Sequence, residues 1–412
     1  MTIGEMPSIP AHVPSALVWN VDPWEEIARA GEDAYARAAR LHAELPPVVW
    51  VPRMGVLPGC WMPRRASDLR LILQDPATFS SVGLTPFARM LGEKWSLIPL
   101  EIDPPDHRKY RALLNPLFSP PRVEALDSDV RKMATELIEA FASRGHCDFN
   151  TEFANRFPAL IFLRLMGWPT EAAPLFVSWT QTLIKSQDIA VIVGAAREIA
   201  AYLRDRIAER RADPGEDFTS YVLAADIDGR KLTEDEVFGI CFLVFIGGLD
   251  TVGSSLGFHY LHLARHPEHQ AQLRSRPELV PNAVDELLRA YSVVNGRRTV
   301  TRDVEIGGAP MRAGDFVMIS SELANLDPEA FENPTRVDFE RKGAHKHMAF
   351  SYGVHHCVGM HLARRELRIA LETWLQLVPQ FHVSSHKSPT VRISGVFGID
   401  DLHLQWDVPA SA

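Results

Sequence analysis

Residues 350–360 read FSYGVHHCVGM: one cysteine, two histidines directly before it, and a glycine on either side. What Cys357 does decides the fold, because each possible role demands different surroundings. A metal ligand, a nucleophile and a buried structural thiol are built differently.

Four readings compete. A lone cysteine is by default an inert buried thiol. A nucleophile needs a base, but His355 and His356 are adjacent, and neighbours on an extended chain point opposite ways. A zinc site can recruit His345, His347, His355, His356 and Cys357, yet no second cysteine pair exists and the spacing matches no common zinc pattern. The fourth reading is an axial thiolate to haem iron. That role needs a screened, directed sulfur with backbone N–H groups aimed at it. Gly353 and Gly359 allow the tight turns, and Phe350 can pack over the sulfur side. The helical pattern VGMHLARRELRIALETWL, from 358, starts just past Cys357, so its N-terminal dipole favours a negative sulfur. F-x-x-G-x-H-x-C-x-G is far more specific than a lone cysteine.

Further signals lie upstream. Glu286 and Arg289, in ELLR, are neighbours on a predicted helix, and Arg336 of NPTRVDF can join them in a charge network. DPPDHRKYR, 103–111, sets His107 and Arg111 one helical turn apart, suited to gripping anions, with Arg298 and His355 as further candidates. In LTEDEVFGICFLVFIGGLDTVGSSLGFHYLHLARHPE, 232–268, Thr233 and Glu236 fit a capping box and Pro267 marks a stop. About thirty helical residues result, apolar nearly all round at the centre, so the helix belongs inside a large core. Gly247-Gly248 and Asp250-Thr251 break that centre, and a buried carboxylate needs a partner or a task. Leu243, Gly247, Asp250, Thr251 and Ser254 share one face, and Thr251 can bond back to a carbonyl one turn earlier. A plain glycine-softened helix crossing explains the same residues.

The remaining chain is ordinary globular material: 412 residues, 46% hydrophobic and 23% charged. A net charge of −9 argues against nucleic-acid binding through bulk positive charge. Cys60, Cys147, Cys241 and Cys357 are too sparse for a disulfide scaffold, which points to a reducing compartment. Residues 1–20 contain no signal-like pattern, and the nine-residue apolar run CFLVFIGGL falls short of the ~20 residues a span needs. A cytoplasmic, membrane-free protein is expected. Periodicity predicts helices over 122–143, 193–211, 234–264, 281–291 and 358–377, with strands at 48–53 and a small hairpin system in 300–319.

Together the haem-cysteine pattern, ExxR and GGxDT resemble the cytochrome P-450 family over nearly the whole chain. IGGLDT, DPPDHRKYRAL, HLARREL, ISGV at 393–396 and the QWDVP ending are most similar to its bacterial soluble camphor-hydroxylase group. The resemblance implies a mainly α fold with small β-sheets: a short extended segment (1–20), then one catalytic domain (21–412) with a long central helix over the haem. It implies haem b (iron protoporphyrin IX) bound through Cys357, with His107, Arg111, Arg298 and His355 on its propionates and Phe350 and Gly359 shaping the loop. Glu286, Arg289 and Arg336 become the network behind that loop, and Asp250 and Thr251 the catalytic pair in an oxygen-binding groove. Trp95, Leu243, Ile246, Gly247, Val293, Val294, Val396 and Phe397 are the implied substrate pocket, apolar throughout. Trp95 in GEKWSLIP replaces the tyrosine that binds the ketone in camphor hydroxylases, which disfavours camphor itself. The expected reaction is hydroxylation of a terpenoid or norisoprenoid such as an ionone, or else of a small aromatic. O2 and a [2Fe–2S] ferredoxin with an NADH-dependent reductase are the expected partners. A zinc hydrolase and a non-catalytic haem carrier or sensor are the rival classes.

Overall fold

The capping box forms as the spacing predicts. Thr233 N–H donates to Glu236 Oε2 at 2.6 Å, and Glu236 N–H donates to Thr233 Oγ1 at 3.2 Å. The helix it opens runs Glu234–Arg265, and the next, Pro267–Ser275, begins on the proline. The long helix is 32 residues, long and apolar enough to cross a membrane by those two criteria, although 61% of its most apolar window is buried inside the protein. Its length agrees with the roughly thirty residues expected from the cap and the proline stop.

The computed structural model describes residues 8–55, 57–186 and 188–408, so part of the expected N-terminal segment, residues 1–7, lies outside them. The chain divides into two compact units. One comprises 1–81, 254–357 and 380–405; the other comprises 82–253, 358–379 and 406–412.

The first unit is built on a five-stranded sheet. Its order is Val48–Met54, Leu57–Pro63, Phe316–Ser320, Asn295–Val300, Phe79–Ser80. All neighbours are antiparallel except Phe316–Ser320 beside Leu57–Pro63. The apolar side chains Val48, Trp50, Trp61, Ile72, Phe79, Val300 and Val317 form one buried cluster with this sheet. The hairpin system resolves into Val304–Ile306 paired with Ala309–Met311. Gly307 and Gly308 both have positive φ, the conformation a two-residue hairpin turn requires.

The second unit is helical. Asp127–Ala142 packs on Met360–Leu377 through Phe141 and Trp374, whose rings lie 5.6 Å apart. Ion pairs from Arg131 to Glu372 and from Arg365 to Asp127 flank the contact. The single helix expected over 122–143 is two, Pro120–Glu124 and Asp127–Ala142. The ladder tightens where Leu126 N–H reaches only Val123 O, and Asp127 and Asp129 then open a fresh acidic first turn.

Candidate active site

The cysteine loop lies in the first unit and is closed by its own backbone. Cys357 N–H donates to Phe350 O at 2.9 Å, and His356 N–H to Gly353 O at 3.1 Å. Gly353 has φ +70°, and a Cβ there would lie 2.2 Å from Leu73 O, so the loop is pressed against the end of helix Ala66–Gln74. Gly359 is different. It has φ −84° at the N-cap of Met360–Leu377, a value open to any residue. The second left-handed residue is Ser351, φ 64°. Phe350 is half-buried, with its ring 5.5 Å from that of His347.

Exposure separates the four thiols. Cys60, Cys147 and Cys241 are buried, whereas Cys357 is half-exposed. Burial pushes the Cys60 and Cys241 thiols up to about 12. They stay protonated and inert, so Cys357 is the thiol that can be reached and ionised by a metal. In the same unit His355 Nε2 lies 3.0 Å from Ser81 Oγ. Arg298 is buried on strand Asn295–Val300, opposite Val317, and donates to Arg297 O at 2.8 Å.

The charge network lies in this unit too. Glu286 and Arg289 are both 0% exposed and joined by two parallel bonds of 2.8 and 2.9 Å. Arg289 also donates to the carbonyls of Asn325, Pro334 and Arg336. The sequence pointed to the Arg336 guanidinium, but Arg336 is exposed and contributes only its carbonyl. Arg341 supplies the second guanidinium, donating to Glu286 Oε1 at 2.9 Å. It lies five residues further on, and no periodicity marks it because the segment is irregular. Asn325 carries the network onward: its Oδ1 accepts from Met348 N–H at 2.7 Å, two residues before Phe350. A buried, satisfied ion pair therefore holds the strand of chain that enters the cysteine loop.

The second unit carries the other residues. On the long helix Phe242, Phe245, Leu249 and Val252 are buried, while Leu243, Ile246, Asp250 and Thr251 are half-exposed and Gly247 is exposed. The expected face thus exists, bordered by buried neighbours on the same helix. Ser254, expected to extend it, is buried. Thr251 Oγ1 donates to Gly247 O at 2.9 Å, the back-bond anticipated from the sequence. His107 and Arg111 share helix Asp106–Leu114. Burial, then the Arg111 charge, pushes His107 down to about 4, so its ring is neutral near pH 7. Arg111 Nε donates to Asn115 Oδ1 at 3.0 Å.

Trp95 is buried against Phe238 and Phe242, with ring centroids 4.9 Å away in each case. Its indole N–H donates to Glu93 Oε2 at 2.5 Å and is thereby spent. The remaining implied pocket residues meet in the first unit. Val294 and Val396 form a β-bridge, and Phe397 N–H donates to Val293 O at 2.7 Å. Val294 and Val396 are half-exposed, whereas Val293 and Phe397 are buried.

Comparison with known proteins identifies the class. A family model described as Cytochrome P450 matches residues 170–394. A curated relative, "Probable cytochrome P450 127A1" of Sinorhizobium fredii, is 41% identical over 405 residues, 97% of each chain. The solved structure of Cytochrome P450 CYP101C1 superposes with a TM-score of 0.88 at 34% identity, covering 97% of this chain and 100% of that one. The structure of CYP101J2 gives 0.86 at 31% with the same coverage. The class so defined is the haem monooxygenases whose iron takes a cysteine thiolate. The chain belongs to the cytochrome P450 family, binds haem b, and has that family's mainly helical fold with small sheets. The donor set fits the cofactor, since one thiol alone among four is accessible, in a loop whose backbone directs it.

Proposed function

We propose that the protein hydroxylates a compact hydrophobic molecule, a terpenoid or norisoprenoid, with electrons from a [2Fe–2S] ferredoxin and its NADH-dependent reductase. The observation that carries this is the stripe on the long helix where the apolar Leu243, Ile246 and Gly247 adjoin Asp250 and Thr251. Apolar lining selects a ligand with few polar groups. Trp95 spends its N–H on Glu93, which removes it as a hydrogen-bond donor to a substrate ketone.

Haem b, when bound, supplies the iron centre at which O2 is activated. Cys357 would ligate it through sulfur, and His107, Arg111, Arg298 and His355 would hold its propionates by charge-assisted or neutral hydrogen bonds. Glu286, Arg289 and, through its carbonyl, Arg336 keep the loop rigid. The Thr251 hydroxyl, with its hydrogen on Gly247 O, presents its lone pairs as acceptors. Asp250 would move protons toward it. Residues 21–412 form the catalytic domain in this reading. Arg70, Arg108, Lys109, Arg111, Arg364 and Arg365 are the basic residues this reading offers to an acidic ferredoxin, with Lys109 and Arg365 already paired with acidic neighbours.

The test is a screen for ligand-induced change in the haem spin state across terpenoids, norisoprenoids and small aromatics, followed by turnover with a ferredoxin system. Shifts confined to the aromatics would overturn the substrate class. Thr251→Ala should keep consuming NADH while releasing peroxide in place of product; unchanged coupling would remove Thr251 from the proton path.

A further inference from the structure

The end of the long helix and the start of Pro267–Ser275 bring three histidines into one stack. The His262 ring lies 4.3 Å from that of His266 and 5.0 Å from that of His269, centroid to centroid. His266 Nδ1 and Glu268 Oε1 are 2.9 Å apart. Ligand atoms of His266, Glu268 and His269 all lie within 4.8 Å of one another. Two imidazoles and a carboxylate suit zinc, whose bonds of ~2.0–2.1 Å set tetrahedral ligand atoms roughly 3.3 Å apart. We propose that His266, Glu268 and His269 form a surface site for a divalent transition cation of the zinc type, separate from the residues assigned to haem.

The surroundings are built for such a site. His262 is buried, with its Nε2 2.8 Å from His269 Nδ1 and its Nδ1 2.8 Å from Tyr291 Oη. A neutral His262 ring carries one N–H. Burial pushes Tyr291 up to about 12, so its phenol keeps its proton. When His269 Nδ1–H donates to His262 and His262 Nδ1–H donates to Tyr291 Oη, the lone pair of His269 Nε2 is free to bind a metal. A chain of this kind fixes the tautomer and raises the basicity of a ligating imidazole.

Nearby charges are accounted for. Arg265 is paired with Glu32, and His266, Glu268, Asp338 and Arg336 are the charged or titratable groups that face His269. The scaffold is rigid: buried Gln270 donates to Leu263 O at 2.7 Å and to Phe381 O at 2.8 Å. His266 and Glu268 remain open to solvent, so a cation can enter.

The experiment uses haem-loaded protein stripped of adventitious metal and titrated with Zn2+ by calorimetry. One saturable site per chain is expected. The His266→Ala/His269→Ala double variant should lose it. His262→Phe should weaken it about 10–100-fold. All these variants should keep the Soret and ferrous–CO spectra of the parent. No saturable binding, or binding unchanged in the double variant, overturns the site. Full affinity in Glu268→Gln overturns the carboxylate's place in it.

Discussion

Gly353 shows how one residue controls the cysteine loop. Its φ of +70° is costly for any L side chain, and a Cβ would strike Leu73 O at 2.2 Å. Gly353→Ala should therefore lose at least about 1–3 kcal/mol, the cost of a strained backbone conformation. The measurement is thermal unfolding of the haem-loaded protein, and an unchanged midpoint would contradict the reading. Cys357→Ser keeps the loop's size but removes the soft ligand. It should lose the red-shifted ferrous–CO band of a thiolate haem, and a retained band would place the ligand elsewhere.

At the scale of elements, the ion-pair network connects helix Val280–Ala290 to the irregular segment after it. Its worth lies in burial: Glu286 has no exposed surface, so removing a partner leaves a desolvated charge. Arg341→Ala should cost about 1–3 kcal/mol by unpairing part of that carboxylate. Arg336→Ala should stay within about 0.5 kcal/mol, because its carbonyl does the bonding and survives the change. Denaturant midpoints of the two variants decide the matter, and equal losses would restore the Arg336 side chain to the network. The long helix has its own safeguard in the capping box. Arg230, then Tyr110, holds Glu236 down to about 2. Because this folded value lies below the ordinary 4.5, the stabilisation is present above pH 4.5 and fades as pH falls toward 2. Glu236→Gln should lower the thermal midpoint at pH 7 and matter little near pH 2.

For the whole molecule, the pH profile of stability reflects groups buried in their neutral forms. Burial pushes Glu322 up to about 7 from 4.5. The folded chain then holds a proton the unfolded chain releases, so this contribution is intact below pH 4.5 and is lost as pH rises to about 7. His259 acts in the opposite sense: burial lowers it to about 3 from 6.5, so stability is lost as pH falls through that window. Glu322→Gln should flatten the decline between pH 4.5 and 7, read as thermal midpoint against pH. A profile parallel to the parent's would show that Glu322 ionises freely.

The sequence by itself determined the family, the long capped helix, the ExxR pair and the tight loop around Cys357. Each of these is local: a cap closes within three residues, a helical pair within one turn, and the loop on its own backbone. The tertiary structure alone decided that Arg341 replaces the Arg336 side chain, that Ser351 rather than Gly359 takes the second left-handed turn, and that the Trp95 N–H is spent on Glu93. These outcomes depend on which partners a folded backbone brings within about 3 Å of each polar atom, since burial makes an unmet hydrogen bond costly. Residue spacing carries no record of partners that arrive from irregular chain.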